Sequence, residues 1–446
     1  MIHGGTTLKT KSPPAESAKS EPATKRTAFF RAFQKLGPGL VTGASDDDPS
    51  GIATYSQVGA QFGFGLLWTM LFSYPLMAAI QTISARMGRV TGLGIAGSIR
   101  SRYRRPLVYG IVTLLVAANV FNLGADIGAM ASAARLLVPG PWPMYVLGFG
   151  ALCLCLQVWV PYKTYVKYLK WLTLALFAYV ATAFSIHVPW GEALRATVLP
   201  PLHFGKGYFT ALIAVLGTTI SPYLFFWQAS QEVEEIGVHA LDQPLLKAHG
   251  QARENFERIG VDTYAGMAFS NLVAFFIILT AAVTLHAHGL TDIQTADQAA
   301  SALRPLAGHF AFLLFAAGIV GTGLLAVPVL AGSAAYGICD ALNWKASLEK
   351  KPLQRRGFYA ALALVTGAGV ALNFAGLNPI KALFWSAVFN GIAATPVMVV
   401  VMLMASNRKV MGPFVLGQPL RIAGWIATGV MCVASIGMFL SLTGRR

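Results

Sequence analysis

Charged residues are scarce in this sequence. Only 12% of its 446 residues are Asp, Glu, Lys or Arg, against about 25% in an average soluble protein, whereas 55% are hydrophobic. The mean hydropathy is +0.58, and long apolar runs recur along the whole chain. These features exclude an ordinary soluble protein and predict a protein that crosses a membrane many times.

Cysteine is also rare, and no Cys-x-x-Cys spacing occurs. The four cysteines lie in or beside apolar segments: Cys153, Cys155, Cys339 and Cys432. Neither a zinc ribbon nor a disulfide framework is therefore indicated. The glycine-rich stretch "GRVTGLGIAG" lacks the Gly-Lys-Ser/Thr ending of a phosphate-binding loop. We expect neither an enzyme nor a resident cofactor.

Acidic residues are fewer than basic ones, 18 against 34, which gives a net charge of +16. The Lys and Arg residues collect in short segments between apolar runs, where the positive-inside rule explains them better than a nucleic-acid partner does. The lipid bilayer is the expected partner, and no obligate protein partner is evident. Residues 1–34 lack the apolar core of a signal peptide, so we expect a disordered basic tail in the cytoplasm.

Apolar runs of about 20 residues predict about eleven membrane spans in a single domain over residues 35–446. They are 37–60, 64–86, 106–134, 142–160, 166–188, 208–232, 263–286, 309–339, 357–376, 380–404 and 421–441. With the N-terminus inside, the strongly basic connections are all cytoplasmic, and only Arg445 and Arg446 disagree. This predicts a bacterial-type inner (plasma) membrane protein.

Two predicted spans are interrupted. The first contains "GASDDDPSGI" around Pro49, and the sixth contains "GTTISPYLFF" around Pro222. Proline removes a backbone donor, so each break frees carbonyl groups that must face protein or a water-filled site. Interrupted helices at matching positions of two halves indicate the binding site of a transporter.

The offset of five spans between the breaks predicts two inverted five-helix repeats and one extra helix. The first repeat covers about 37–188, the second about 208–404, and the extra helix about 421–441.

Three consecutive aspartates occupy the first break. A carboxylate at the bilayer centre costs roughly 2.5–3.5 kcal/mol on insertion scales, so such residues are functional candidates. Carboxylates, carbonyls and hydroxyls are ligands of hard cations. Because helical neighbours diverge by about 100°, the three acids cannot all face one ion. Asp48 and Asp47 are the candidate metal ligands, and Asp46 is placed on the access path. Alternatively, some of them only cap a half-helix.

The first-helix segment "GPGLVTGASDDDPSGIATYSQVGAQFGFGLLW" resembles the NRAMP (natural resistance-associated macrophage protein) divalent-metal transporters, whose pattern is G-P…D-P-G-N…Q-A-G-A. The likeness recurs in "MAAIQTISARMGRVTG", "GTTISPYLFF" and "NRKVMGPF", and so covers most of the chain in order. It implies an all-α polytopic membrane protein with a LeuT-like 5+5 inverted repeat and a metal site between the broken first and sixth helices.

The resemblance also shows departures at the site. The aspartate of D-P-G-N matches Asp48, but its asparagine falls on Gly51. The methionine and histidine of the family's M-P-H motif fall on Ser221 and Tyr223. A soft sulfur ligand is thus absent from its usual position, which favours a hard ion.

The third helix differs as well. Where the family has D-L-A-E for proton transfer, this sequence has Asn122 and Ala125, with Asp126 one position further on. Loss of these acids and of the histidine predicts transport without proton coupling. A roomier, all-oxygen site fits a partly hydrated Mg²⁺, with Mn²⁺ also admitted. The pattern resembles the NRAMP-related magnesium transporter branch.

Further polar residues complete the candidate set. Thr218 and Asn390 are candidate ligands, and Gln57, Tyr223, Asn122 and Asp126 are placed on the access path or in secondary positions. Asn119 and Asn122 are equally expected as polar contacts between helices. The acidic "QEVEE" after the sixth span either attracts cations or is a solvated charge run.

Other functions remain open from sequence. One is a proton-coupled Mn²⁺/Fe²⁺ symporter of the NRAMP type. Another is a transporter of organic cations, since the same fold hosts organic substrates and three aspartates disfavour an anion. A third is a metal sensor that binds without transport, for which a long cytoplasmic signalling domain is expected and none is recognised.

Overall fold

The computed structural model describes residues 42–43, 45–160, 164, 172–201, 207–238 and 241–443. The predicted tail 1–34 and parts of the first and fifth spans lie outside these residues. Within them the secondary structure is helical and contains no strand, in agreement with the all-α prediction.

The main helices are numbered in chain order. They are α1 Pro49–Phe62, α2 Trp68–Thr91, α3 Arg105–Leu137, α4 Trp142–Trp159, α5 Phe177–Ser185, α6 Tyr208–Thr219, α7 Pro222–Val238, α8 Ala252–Thr284, α9 Ala311–Leu342, α10 Arg356–Leu372, α11 Pro379–Ala405 and α12 Gln418–Leu442. Shorter helices are Ile95–Arg100, Trp190–Val198, Ala296–Ala300, Arg304–Ala307 and Arg408–Met411.

Eight helical stretches of the described chain are long and apolar enough to cross a bilayer, and up to ten if each of two bent pairs counts as one span. In the first pair, Pro49–Leu66 meets Trp68–Thr91 at 107°; in the second, Leu174–Ser185 meets Trp190–Val198 at 120°. α2 has 24 residues and is long enough to span alone. The first and fifth predicted spans extend outside the described residues. The predicted total of eleven membrane spans therefore stays a prediction.

Both predicted breaks are present. Residues 45 and 46 are helical, Asp47 is a bend, and Asp48 is the extended N-cap residue of α1, with φ −69° and ψ 170°. In the sixth span, α6 ends at Thr219 and α7 begins at Pro222. In each case proline is the first residue of the second half-helix. The N–H at that position has no partner within a helix, so its absence in proline costs no hydrogen bond.

The breaks lie where several helices meet. α1 packs against α8 and α11, and α6 packs against α11, while α3 runs along α9 and α11. Gly217 of α6 and Gly391 of α11 lie so close that a Cβ on either would overlap the backbone of the other helix. Small residues of this kind let membrane helices approach closely.

The connections after α2, α7 and α9, which are predicted to be cytoplasmic, lie together at one end of the bundle. The N–H of Leu245 donates to the carbonyl of Arg89 at 3.1 Å. The Arg100 guanidinium donates to Asn343 Oδ1 at 2.6 Å, which joins the connection after α2 to the end of α9.

The opposite end gathers the connections predicted to be outside. The amide of Asn378 donates to the carbonyl of Gln294 at 3.1 Å, and His286 Nδ1 lies 2.8 Å from the carbonyl of Ala60. These contacts join the loops after α8 and α10 and bring the last turn of α1 to the same end.

Candidate metal site at the helix breaks

Asp48 is buried between the two breaks, and one of its oxygens caps α1. Its Oδ1 accepts hydrogen bonds from the N–H of Gly51 at 2.6 Å and from the Ser50 hydroxyl at 2.7 Å. Its carboxylate thus compensates the exposed amides and the positive end of the helix dipole. The capping role foreseen as an alternative for the aspartates therefore holds for this oxygen.

The other oxygen of Asp48 joins three helices. Asn122 Nδ2 of α3 donates to Asp48 Oδ2 at 2.9 Å, and the Tyr223 hydroxyl of α7 lies 3.4 Å from the same oxygen. Tyr223 also lies 3.2 Å from the carbonyl of Ser45, before the first break. The structure thus brings three sequence candidates together: Asp48, Asn122 and Tyr223.

Ser386 of α11 extends this group and was not among the sequence candidates. Its Oγ lies 2.7 Å from Asn122 Oδ1 and 2.7 Å from the carbonyl of Leu383. Both Ser386 and Asn122 are fully buried. The available sequence signal was the position of Ser386 one helical turn before Asn390, on the same face of α11.

Gly51 and Thr218 face each other across the breaks. A Cβ at Gly51 would lie 3.0 Å from Thr218 Oγ1, 3.4 Å from the carbonyl oxygen of Asp46 and 3.4 Å from the Tyr55 ring. The extra space expected where glycine replaces asparagine thus lies directly against the Thr218 hydroxyl and the Tyr55 ring. Two of the three nearest atoms are oxygens.

Ser221 lies between α6 and α7 and turns its hydroxyl toward α6. Its Oγ lies 2.7 Å from the carbonyl of Gly217 and 2.9 Å from the carbonyl of Thr218. It can give its single proton to these freed carbonyls while the lone pairs of its oxygen remain available.

Asp46 and Asp47 point away from Asp48, toward α8. The hydroxyl of Ser270 lies 2.5 Å from Asp46 Oδ2 and 3.1 Å from Asp47 Oδ1. Within the described residues, Asp46 Oδ1 and Asp47 Oδ2 have no hydrogen-bond partner. The three acids do not all face one point, as predicted, but Asp47 lies with Asp46 beside Ser270 and not with Asp48. The bend at Asp47 and the extended backbone of Asp48 separate the two groups. Ser270, also missed from sequence, gave no signal beyond a hydroxyl in an apolar span.

Asp126 and Asn390 are fully buried near these groups. Asp126 lies one turn after Asn122 on α3, on the same face of the helix. In the described part of the chain, both amide atoms of Asn390 lack a hydrogen-bond partner, whereas the backbone N–H of Ser50 interacts with the Asp126 carboxylate. The Asp126 carboxylate and the Asn390 amide oxygen are therefore available to bind a cation, and the Asn390 NH2 group is available to donate a hydrogen bond.

Gln57 lies apart from the aspartates, toward the end of the bundle where the predicted outer loops meet. It lines a cavity of about 200 Å³ together with Ala53 and Lys381. Its Oε1 accepts from the N–H of Ile293 at 2.8 Å, and its Nε2 donates to the carbonyl of Thr291 at 3.1 Å. Gln57 therefore ties α1 to the loop after α8.

The acidic "QEVEE" segment makes specific contacts rather than forming a solvated run. Glu232 is fully buried and pairs with Arg258 of α8 at 2.5 Å. Glu234 accepts from the Tyr336 hydroxyl at 3.0 Å, the Ser347 hydroxyl at 2.9 Å and a backbone N–H. These bonds hold the end of α7 against α8 and α9.

Within the described ranges, no group of three or more His, Cys, Asp and Glu side chains is arranged to hold a metal ion. The donors around Asp48 at the breaks are instead carboxylate, carbonyl, amide and hydroxyl oxygens. That donor set suits a hard ion that keeps some of its water.

Comparison with solved structures reveals the same helical fold. A manganese transporter of Eremococcus coleocola superposes with a TM-score of 0.70 at 16% identity, covering 96% of this chain and 91% of that chain. Mhp1, a nucleobase-cation-symport-1 family transporter, superposes with a TM-score of 0.59 at 14% identity, covering 92% and 93%. The predicted fold class is confirmed.

Comparison with known sequences identifies the family. The protein named "Divalent metal cation transporter MntH" of Klebsiella pneumoniae (strain 342) is 28% identical over 424 residues, covering 93% of this chain and 96% of the relative. Residues 39–441 match the family described as natural resistance-associated macrophage protein-like. The chain thus belongs to the NRAMP family of membrane transporters and is not an enzyme, as the sequence motifs predicted.

Proposed function

We propose that this protein carries divalent metal cations across the membrane by alternating access, with Mg²⁺ as the preferred ion and Mn²⁺ as a second. The observation that carries the proposal is the buried Asp48 between two helix breaks. Membership of the NRAMP family and the name of the Klebsiella pneumoniae relative support a divalent cation. The name of the Eremococcus coleocola structure supports Mn²⁺.

The preference for Mg²⁺ rests on the chemistry around Asp48. The proposed ligands are Asp48, Thr218, Ser221 and Asn390, with the backbone at Gly51; these supply oxygen rather than sulfur. Asp47, a candidate ligand from sequence, turns with Asp46 to Ser270 of α8 and is proposed to face the ion path instead. Mg²⁺ is usually bound through one or two carboxylates and several waters. Ser221, where the family has methionine, removes the soft ligand that distinguishes Mn²⁺ from Mg²⁺.

The proposed absence of proton coupling rests on two neutral side chains. Asn122 and Tyr223 occupy family positions for which acid and histidine are usual, and both contact Asp48 Oδ2. Neither an amide nor a phenol changes its protonation state near pH 7. Asp46 and Gln57 are proposed to line the access path on opposite sides of the breaks.

A proton-coupled Mn²⁺/Fe²⁺ symporter is the second candidate, and Asp126 favours it. This carboxyl group is fully buried one helical turn after Asn122, which donates to Asp48. A buried acid beside the ion-binding carboxylate is the kind of group that relays protons in transporters.

The chain is an integral membrane protein, and we place it in a bacterial inner membrane with a cytoplasmic N-terminus. The relatives support a bacterial membrane, and the basic connections after α2 and α9, which meet at one end of the bundle, support the orientation. Residues 35–446 are proposed as one transporter domain that follows a basic tail.

The test is ion flux into liposomes that contain the purified protein, with a pH dye recorded in parallel. We expect Mg²⁺ and Mn²⁺ entry without movement of protons, and loss of both fluxes in Asp48→Ala. Asp297→Ala changes an exposed carboxylate outside the bundle centre and is the matched control. Undiminished flux in Asp48→Ala would refute the site. Proton movement coupled to metal entry, or Mn²⁺ flux that excess Mg²⁺ does not inhibit, would favour the symporter.

A further inference from the structure

The amide of Asn122 lies between a carboxylate and a hydroxyl. Its Nδ2 donates to Asp48 Oδ2 at 2.9 Å, and its Oδ1 lies 2.7 Å from Ser386 Oγ. An ionised carboxylate only accepts hydrogen bonds. As long as Asp48 is charged and holds no cation, the nitrogen of Asn122 must face it and the oxygen must face Ser386.

Ser386 is placed to serve either orientation of that amide. It has one hydroxyl proton but two acceptors at 2.7 Å, Asn122 Oδ1 and the carbonyl of Leu383. With the amide as it stands, the proton is used by Asn122. With the amide turned by 180°, Ser386 accepts from Nδ2 and its proton becomes free for Leu383.

We infer that the Asn122 amide turns over when a cation binds at Asp48, so that Asn122 Oδ1 becomes a ligand of the ion. This inference rests on the proposed function and names a further specificity-determining group of the same site. The cation removes the need for a donor at Asp48, and an amide oxygen is a hard ligand that suits Mg²⁺. The terminal torsion of asparagine is soft, so the turn needs no movement of the backbone.

Ser386 stabilises the turned state more than the starting state. In the turned state its hydroxyl both accepts from Asn122 and donates to Leu383, whereas in the starting state its proton serves one of two acceptors. Removing the hydroxyl therefore costs the ion-bound state one more hydrogen bond. A net hydrogen bond of ordinary strength corresponds to roughly three- to tenfold in affinity.

The simpler alternative, in which Asn122 is not a ligand, predicts the opposite effect of removing Asn122 on metal affinity. If Asn122 only donates to Asp48, it competes with the cation for Oδ2. Its removal would then leave metal affinity unchanged or increase it. If Asn122 is a ligand, its removal weakens binding.

The experiment measures Mg²⁺ and Mn²⁺ binding to the purified full-length protein by calorimetry, and KM and maximal flux in liposomes. We expect Asn122→Ala to bind about tenfold more weakly or worse, and Ser386→Ala to raise Kd and KM about three- to tenfold with maximal flux largely kept. Ser386→Thr retains the hydroxyl and restores wild-type values. Ser84→Ala removes a buried hydroxyl that bonds only within α2 and is the control.

Because Ser386 acts through Asn122, the double variant should bind no more weakly than Asn122→Ala alone. Unchanged or tighter binding in Asn122→Ala, or additive losses in the double variant, would overturn the inference. If Asn122→Ala does not fold, equal affinities of Ser386→Ala and Ser386→Thr overturn it instead. Wild-type protein that neither binds nor transports divalent ions would refute the proposed function itself.

Discussion

Gly217 of α6 and Gly391 of α11 form a close backbone contact between the broken sixth span and the tenth. A Cβ at Gly217 would overlap the backbone of Ala387 and Gly391, and one at Gly391 would overlap Ile213. The contact lies one turn before the break and one residue after Asn390. It therefore fixes the distance between two elements of the proposed site.

Alanine at Gly217 should force α6 away from α11. We expect Gly217→Ala to destabilise the purified protein by about 1–3 kcal/mol, as overpacking of a tight contact does, and to reduce flux strongly. Gly429→Ala is the control, because nothing lies within 4 Å of a Cβ at that helical position. A thermal-unfolding midpoint for Gly217→Ala equal to that of Gly429→Ala would contradict the contact.

Ser270 is the hydroxyl donor shared by Asp46 and Asp47. Without it, two fully buried carboxylates lose their hydrogen bond, at a cost of about 1–3 kcal/mol. Ser270→Ala should therefore lower the unfolding midpoint in metal-free buffer, measured against Ser84→Ala. A divalent ion added to Ser270→Ala should recover part of the loss if these acids face the ion path. No difference between the two variants would mean that Ser270 is dispensable.

Arg258 compensates the buried charge of Glu232. Removal of one partner of a buried pair costs about 3–5 kcal/mol, because the remaining charge is left without compensation. We expect Arg258→Gln to destabilise the protein by that amount, and Glu232→Gln to restore much of the stability in the double variant. Arg253→Gln breaks an ion pair whose side chains are 91% and 67% exposed and should change stability little. Equal effects of Arg258→Gln and Arg253→Gln would refute the burial argument.

Gln57 should control access to the cavity beside α1. Its amide makes two hydrogen bonds to the loop at Thr291 and Ile293. We expect Gln57→Ala to loosen this loop and to accelerate labelling of an introduced Ala53→Cys by a membrane-impermeant thiol reagent added outside. Gln61→Ala, which also lines the cavity, is the control. Equal labelling rates in the two backgrounds would show that Gln57 does not hold the loop closed.

The helix breaks were predictable because their causes are local. Pro49 and Pro222 dictate where a half-helix begins, and the aspartates before Pro49 could be recognised as misplaced in an apolar run. That the three aspartates would not all face one ion was also predictable, although the structure separates them through the bend at Asp47 and the extended backbone of Asp48. For these features a short window of sequence contains the relevant physics.

The partners of these acids were not predictable, because they come from distant helices. Ser270 and Ser386 are ordinary hydroxyl residues in apolar runs, and only packing brings them to Asp46 and Asn122. Asn119 and Asn122 are one turn apart, and both were equally expected as polar contacts between helices. In the structure Asn119 binds the carbonyl of Leu330 and Ser333 Oγ on α9, whereas Asn122 meets Asp48.

The capping of α1 by Asp48 has a consequence for turnover. In the proposed site, the carboxylate that attracts the ion is also the group that neutralises the first amides of a half-helix. A cation that binds shares the carboxylate with the hydrogen bonds from Gly51 and Ser50. When the cation leaves, these hydrogen bonds still stabilise the charge of the carboxylate. The helix thereby lowers the barrier to unloading, which favours rapid release of cargo over tight storage.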